Sequence, residues 1–332
     1  MKKHCFRSKS EPMFRVLLCG LMFVLLTTLS FSTVAGAEGD NDLIVVGFSQ
    51  VGAESDWRLA NTASMTEALS EGNGFRLIID DAQNKQERQI TAIRNFIQMD
   101  VDYIVLAPTN ETGWETVLSE AKNAGIPVII VDRQIDVADH SLYISWVGSN
   151  FLKEGREAVK WMDERFGDQP LRIVHLQGNL GCSAQKGRSD ALQEALDAHP
   201  AWQVVYQGPG DFLQAKGQEI IEDLLSQNVE FDVIYSENDN MAFGAIEALE
   251  DAGLCPGSDI TIVSFDGCRR ALEMLTEGKI NFVAECNPLH GPRVSNIIMT
   301  LESGIQPQRL TFVDEVTFDE SITQETLDRR NY

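Results

Sequence analysis

The chain has 332 residues, 43% of them hydrophobic and 8% aromatic, and a formal net charge of −23. This length supports more than one packed lobe. The acidic balance excludes attraction to nucleic acid or to an anionic membrane surface through a basic field.

Residues 1–37 reverse that balance. Lys2, Lys3, Arg7, Lys9 and Arg15 stand against the single Glu11, residues 16–29 form an apolar run, and Ala35-Gly36-Ala37 follows. A basic start, an apolar middle and an A-x-A site make the pattern of a signal peptide, expected to be cleaved after Ala37. Leu18 precedes Cys19, which does not suit a lipid-attachment site. No other apolar run is long enough to span a bilayer. The mature chain is therefore expected to be soluble and periplasmic. It keeps four cysteines, Cys182, Cys255, Cys268 and Cys286. An oxidising compartment permits disulfides, and free thiols fit equally well. None of the four has metal-ligand spacing, and no metal or cofactor is expected.

Strand-like and helix-like segments then alternate. Residues 43–48 are an apolar run that breaks at Ser49-Gln50 and restarts after Ser55-Asp56, which reads as strand, loop and capped helix. That helix places Leu59, Ala63, Thr66 and Leu69 on one face and is expected to stop at Gly72. Further strands are expected at 75–79, 103–106 and 127–131. The helices between them carry Ile90, Ile93 and Ile97, then Trp114, Val117, Leu118 and Ala121, with Gly125 at the end. The second half repeats the pattern, with strands near 172–176, 203–206, 233–235, 260–265 and 280–284. Gly253 and Gly304 end two of its helices. Short apolar strands joined by helical crossovers predict an α/β fold with parallel sheets covered on both faces, in two similar Rossmann-like lobes. The link near 141–150 is short, which makes a hinge rather than a tether.

Ligands in such sheets sit beyond the carboxyl ends of the strands. Those positions hold Ser49-Gln50, Asp80-Asp81, Pro108-Thr109-Asn110, Asp132-Arg133, Gln177-Gly178, Gly208–Phe212, Glu237-Asn238-Asp239 and Asp266-Gly267. Carboxylates, amides and guanidinium groups can each fork onto two adjacent hydroxyls, and Trp57 and Phe212 offer rings for C–H faces. Polyhydroxyl sugars match that set. Taken singly, an Asp or Asn there also serves as a helix cap, and Trp57 also suits a core. Walker A, G-x-G-x-x-G, G-x-S-x-G and H-E-x-x-H patterns are missing from the sequence, so the chain is not expected to be an enzyme.

The stretches VGFSQVGAESDWR, QNKQERQITAIRNFI, IPVIIVDRQID, LQGNLGCSAQKGR, GDFLQAKGQEII, NDNMAFGAIEAL, ITIVSFDG and VAECNPLHGP resemble type I periplasmic sugar-binding proteins of ABC importers, above all the galactofuranose-binding branch. The likeness runs from 43 to 308. It implies a periplasmic binding protein type I fold with a three-crossover hinge. One lobe would span 43–147 plus 285–309, the other 148–284 plus 310–332. It also implies a ligand set. Gln50, Ser55 and Arg58 match the branch's first loop, Trp57 and Phe212 its stacking aromatics, and Asp132 and Arg133 its hydroxyl-binding pair. Arg188, Asn238 and Asp266 match polar contacts of the second lobe, and Glu285 a carboxylate at the second crossover. The implied function is capture of a monosaccharide, galactofuranose-like or a related pentose or hexose, by hinge closure and its delivery to an ABC permease, with the chain acting as a monomer. A periplasmic sensor presenting its sugar to a chemoreceptor or histidine kinase would share the same site, and an exported glycosidase is the enzymatic alternative.

Overall fold

The computed structural model describes residues 43–332; the expected signal peptide lies outside the described residues. The chain opens with strand β1 (Ile44–Gln50), helix α1 (Asp56–Ala68), β2 (Phe75–Asp81), α2 (Gln86–Gln98), β3 (Tyr103–Leu106), α3 (Glu115–Asn123), β4 (Val128–Val131) and β5 (Ser145–Gly148). It continues with α4 (Phe151–Phe166), β6 (Leu171–Gln177), α5 (Ser183–Ala198), β7 (Trp202–Pro209), α6 (Gln214–Ser226), β8 (Val233–Ser236), α7 (Asp239–Asp251), β9 (Thr261–Asp266), α8 (Arg269–Thr276) and β10 (Phe282–Glu285). The end is α9 (Gly291–Glu302), β11 (Leu310–Phe312), β12 (Thr317–Phe318) and α10 (Gln324–Arg329).

Two six-stranded sheets result, in the orders β11-β5-β4-β3-β1-β2 and β12-β10-β9-β8-β6-β7. Every pairing is parallel except β10 with β12. The central strands β3, β4, β8 and β10 are buried along their whole length, as strands covered by helices on both faces must be. In the first lobe Phe48, Phe75 and Phe96 are fully enclosed, each contributing about 2 kcal/mol of apolar transfer.

The chain crosses between lobes three times. It leaves the first after β5, at 149–150, returns after β10, at 286–290, and leaves again at 313–316 between β11 and β12. The last crossing lies further on than the sequence indicates. Leu310, Thr311 and Phe312 pair with Trp146, Val147 and Gly148, so the first lobe keeps this strand and the second takes up the tail only from β12. A three-residue strand with two exposed side chains has too little hydrophobic pattern to be read from sequence.

Helix α1 also differs from expectation. Leu59, Ala63 and Thr66 face solvent, while Trp57, Arg58, Asn61, Ser64 and Met65 are buried. The inward stripe is mixed: Met65 packs with Leu69 on the sheet, Trp57 and Arg58 face the cavity between the lobes, and Asn61 and Ser64 bond the second crossing and the start of α9. Of the helix stops, Gly125 and Gly253 lie two residues past α3 and α7 with φ of 79° each. The turn after α1 is made by Gly74, at φ 87°, rather than by Gly72. All four described cysteines are free thiols.

Candidate functional site

The carboxyl ends of the two sheets face each other across a small cavity. Backbone and side-chain bonds join its lips. Asp56 N donates to Asn240 Oδ1 at 3.0 Å, Gln134 N to Ser183 Oγ at 2.9 Å, and Asn179 Nδ2 to Asn84 Oδ1 at 2.6 Å. Trp57 Nε1 reaches the carbonyl of Cys286 at 2.6 Å. The two lobes are thus closed on one another.

The wall from the first lobe is built by the loop after β1 and by the two residues after β4. Ser55 caps α1, accepting from Arg58 N at 3.2 Å, and the cap turns Trp57 and Arg58 inward in the first helical turn. Arg58 donates to Asp132 Oδ2 at 2.9 Å, to Glu54 Oε1 at 3.2 Å and to Gln50 Oε1 at 3.2 Å. Burial pulls this guanidinium's pKa down, and Asp132 and Glu54 more than offset the pull, holding it above the ordinary arginine range. Asp132 adopts φ 64°, a left-handed conformation costing about 1–3 kcal/mol, and its N–H is tied to Val147 O at 2.9 Å. Arg133 is held differently. Its Nη1 donates only to the Thr109 carbonyl at 3.3 Å, and its Nε has no hydrogen-bond partner among the described residues. Glu54 Oε2 is likewise buried and unpartnered. Both orphans belong to residues of the cavity wall, as groups awaiting a ligand would.

The opposite wall comes from the second lobe. Arg188, on α5, donates to Glu154 Oε2 at 2.9 Å through Nε, binds the Glu237 carbonyl through Nη1, and lies 3.6 Å from Asp266 Oδ1. It stacks between Phe151 and Phe265, 5.5 and 4.9 Å from their ring centres. Burial pushes the Asp266 carboxyl well above its usual range, against the pull of Arg188. Phe212 sits at φ 62° with its ring on Gly178, where a Cβ would lie 1.9 Å from the ring. The Arg133 guanidinium covers it from the other lobe, 5.3 Å from the ring centre. Asn238 caps α7, accepting from Met241 N at 2.9 Å, and its amide donates to the Phe212 carbonyl at 3.2 Å.

Nine of the eleven residues named from the sequence line this cavity: Ser55, Trp57, Arg58, Asp132, Arg133, Arg188, Phe212, Asn238 and Asp266. Two do not. Gln50 stands behind Arg58, with its amide on Asn61 Oδ1 at 2.9 Å and Thr62 Oγ1 at 3.0 Å. Glu285 turns away to pair with Arg330 at 2.7 Å and to accept from the Tyr332 hydroxyl at 2.8 Å. Each reaches the site only through a neighbour. Glu54, Phe151, Ala184 and Cys286 line the cavity as well and were not named. Glu54 lies inside the same loop motif. Ala184 and Cys286 are small side chains brought in by a helix start and a crossing, with no polar pattern to mark them. Among the strand ends, Ser49, Asp80, Asp81, Gln177, Asp211 and Glu237 lie outside the lining. Glu237 ties the loop floor together, accepting from Gly178 N and Ser189 Oγ at 2.7 Å each and pairing with His175 Nε2 at 2.9 Å.

Comparison with known proteins agrees with this geometry. Residues 46–289 match the model of the periplasmic binding protein domain. The galactofuranose-binding protein YtfQ of Escherichia coli is 36% identical over 291 residues, which cover 86% of this chain and 91% of that one. A crystal structure from Mycobacterium smegmatis in complex with β-D-fucofuranose superposes with a TM-score of 0.83 at 38% identity, over 86% of this chain and 95% of that one. The binding component of an arabinose ABC transporter from a Shewanella species, bound to α- and β-L-arabinofuranose, gives 0.82 at 37% identity over 86% and 95%. These relatives are binding proteins, not enzymes. The chain belongs to the periplasmic binding protein domain family and is a solute-binding protein of the sugar-importer type.

Proposed function

We propose that this protein is exported to the periplasm, captures a neutral monosaccharide in its furanose form by hinge closure, and hands it to an ABC permease. The observation that carries the ligand class is the charge balance of the cavity. Three guanidinium groups (Arg58, Arg133 and Arg188) line the cavity, and each lies within 4 Å of a carboxyl group: Arg58 and Arg133 of Glu54 and Asp132, and Arg188 of Asp266 and of Glu154 behind it. Each guanidinium is already paired, so none stands free for a sugar acid or a phosphate, while the forked groups still have free donor and acceptor positions for hydroxyls. The cavity is small, as a site closed around one sugar ring is. Trp57, Phe151 and Phe212 supply apolar surface for its C–H faces. The furanose preference rests on the relatives, which bind fucofuranose and arabinofuranose or are named for galactofuranose.

The two ligand walls come from different lobes, so a bound sugar contacts both only in the closed state and shifts the hinge equilibrium by that difference. The test is a thermal-shift series of the purified protein with D-galactose, D-fucose, L-arabinose and D-galacturonate. Neutral sugars are expected to raise the melting temperature in proportion to ligand excess, and galacturonate is not. A larger shift with galacturonate, or none with any neutral sugar, overturns the proposal.

A further inference from the structure

Beside the crossings between the lobes, a thiol and two carboxyl groups come together. One carboxyl oxygen of Glu154, one of Glu315 and the Cys286 sulfur lie within 4.8 Å of one another. Glu154 belongs to α4, Cys286 to the second crossing and Glu315 to the third. Each is held by groups outside the trio. Arg188 Nε and Nη2 reach Glu154 Oε2 at 2.9 and 2.8 Å. Ser149 Oγ and Asn287 N donate to Glu315 Oε1 at 2.6 and 2.8 Å. Cys286 donates its N–H to Asp266 O at 3.0 Å and accepts from Trp57 Nε1 at 2.6 Å on its carbonyl. One oxygen of Glu154 is left over. The residue is only 5% exposed, and its Oε1 is buried with no hydrogen-bond partner among the described residues. A buried carboxylate oxygen in that state wants a donor or an ion.

We propose that Glu154, Cys286 and Glu315 form a binding site for one zinc ion. The inference goes beyond the sugar reading and does not depend on it. The donor set selects the metal. Calcium and magnesium take oxygen ligands, whereas zinc accepts thiolate sulfur together with carboxylate oxygen, at about 2.3 and 2.0–2.2 Å. Rotation of the two glutamate side chains brings the three donors to those lengths from a common centre, and solvent takes the fourth tetrahedral position. The charges agree with a cation. Three ionised ligands would face one bonded positive group, Arg188, and a divalent ion neutralises the excess. Ser149 Oγ and Asn287 N both favour ionised Glu315 and orient it, as the outer partners of a metal ligand do. On binding, the Cys286 thiol proton leaves to solvent as the sulfur takes the metal. There is also a way in. A surface pocket lined by Glu154, Glu157, Asp314 and Glu315 has Lys153 as its one cationic side chain. The ion would tie the second and third crossings to α4. No spacing in the sequence announces such a site, because its ligands come from three distant segments.

Titration of the reduced, chelator-stripped protein with Co²⁺, in the absence of sugar, tests this. One equivalent is expected to bind and to raise a thiolate-to-cobalt charge-transfer band in the near ultraviolet, which Zn²⁺ then removes. Cys286→Ser should lose the band. Cys255→Ser, which replaces the exposed thiol, should keep it. Ser149→Ala should weaken Co²⁺ binding about 10–100-fold by freeing Glu315, and Glu315→Gln at least as much. Zn²⁺ should raise the melting temperature of the wild type more than that of Glu315→Gln. No band in the wild type, a band that persists in Cys286→Ser, a band that Cys255→Ser removes, or wild-type affinity in Glu315→Gln overturns the site. Should Cys286→Ser fail to fold, the affinities of Glu315→Gln and Ser149→Ala decide alone. Every arm is free of sugar, so a failure of the sugar reading leaves this result standing.

Discussion

Arg58 and Asp132 form a 2.9 Å ion pair in which both side chains are almost wholly buried. They are brought together from the ends of two strands that are not neighbours, since β3 lies between β1 and β4. Arg58 is thereby fixed before any ligand arrives. Removing one member of a buried pair costs about 3–5 kcal/mol, because the remaining charge is left without compensation. Arg58 keeps Glu54 and Gln50, so Asp132→Ala should lie at the lower end, about 3 kcal/mol. Denaturant unfolding would read this, and an unchanged midpoint would show that solvent already reaches Arg58.

Arg133 and Arg188 should behave oppositely when removed. Arg133 makes one long hydrogen bond and leaves Nε unpaired, so Arg133→Ala should change ligand-free stability by less than about 1 kcal/mol and abolish the ligand-induced rise in melting temperature. Arg188→Ala should lose about 3–5 kcal/mol without any ligand, since Glu154 stays buried. Thermal melts with and without sugar distinguish the two. A normal ligand shift in Arg133→Ala would remove that residue from the site.

Trp57 touches both the cavity and the second crossing through its 2.6 Å bond to the Cys286 carbonyl. Its emission should therefore change on closure. Trp57→Ala should weaken sugar binding at least tenfold and remove most of the ligand-dependent fluorescence change, although Trp114, Trp146, Trp161 and Trp202 remain. Survival of the full change would assign the signal to one of those four.

His290 packs edge-on against Trp57, at 5.7 Å between ring centres, and its Nδ1 lies 3.2 Å from Asn61 Nδ2. Burial lowers its pKa to about 4, with Asp132 opposing and Arg293 and Arg58 assisting. The folded value lies below the unfolded one, so this histidine's contribution is present above the unfolded value. It is lost as the pH falls through the folded value. That amounts to about 3 kcal/mol between pH 7 and pH 4. The fall in melting temperature over this range should be smaller in His290→Gln than in the wild type, and an identical fall would place the acid sensitivity elsewhere.

Much of this was legible in the sequence for a physical reason. Parallel strands buried on both faces must be continuous apolar runs, so their ends are sharp, and whatever polar residues follow stand at the ligand edge. Asp132, Arg133, Asn238 and Asp266, named for that reason, line the cavity. Gln50 and Glu285 occupy equivalent places, yet side-chain direction decides their role. Gln50 is taken up by Asn61 and Thr62, and Glu285 by the C-terminal Arg330 and Tyr332, contacts that no local pattern encodes. Leu59 was misplaced because helical periodicity marks an apolar stripe, whereas α1 turns Arg58 and Asn61 inward. The meeting of Ser149, Asn287 and Glu315 was invisible for the same reason, as it joins three segments far apart in the chain.

The pairing of β11 with β5 bears on the order in which the molecule can be made. The first sheet receives its last strand, and α9 that packs beside it, only after all of the second lobe but β12 and α10 has been synthesised. An emerging chain therefore holds an unfinished first lobe with β5 as an open edge until its final residues appear. Cutting the gene between β10 and α9 would yield no independent domain, only a piece lacking its own closing strand and another lacking nearly everything else.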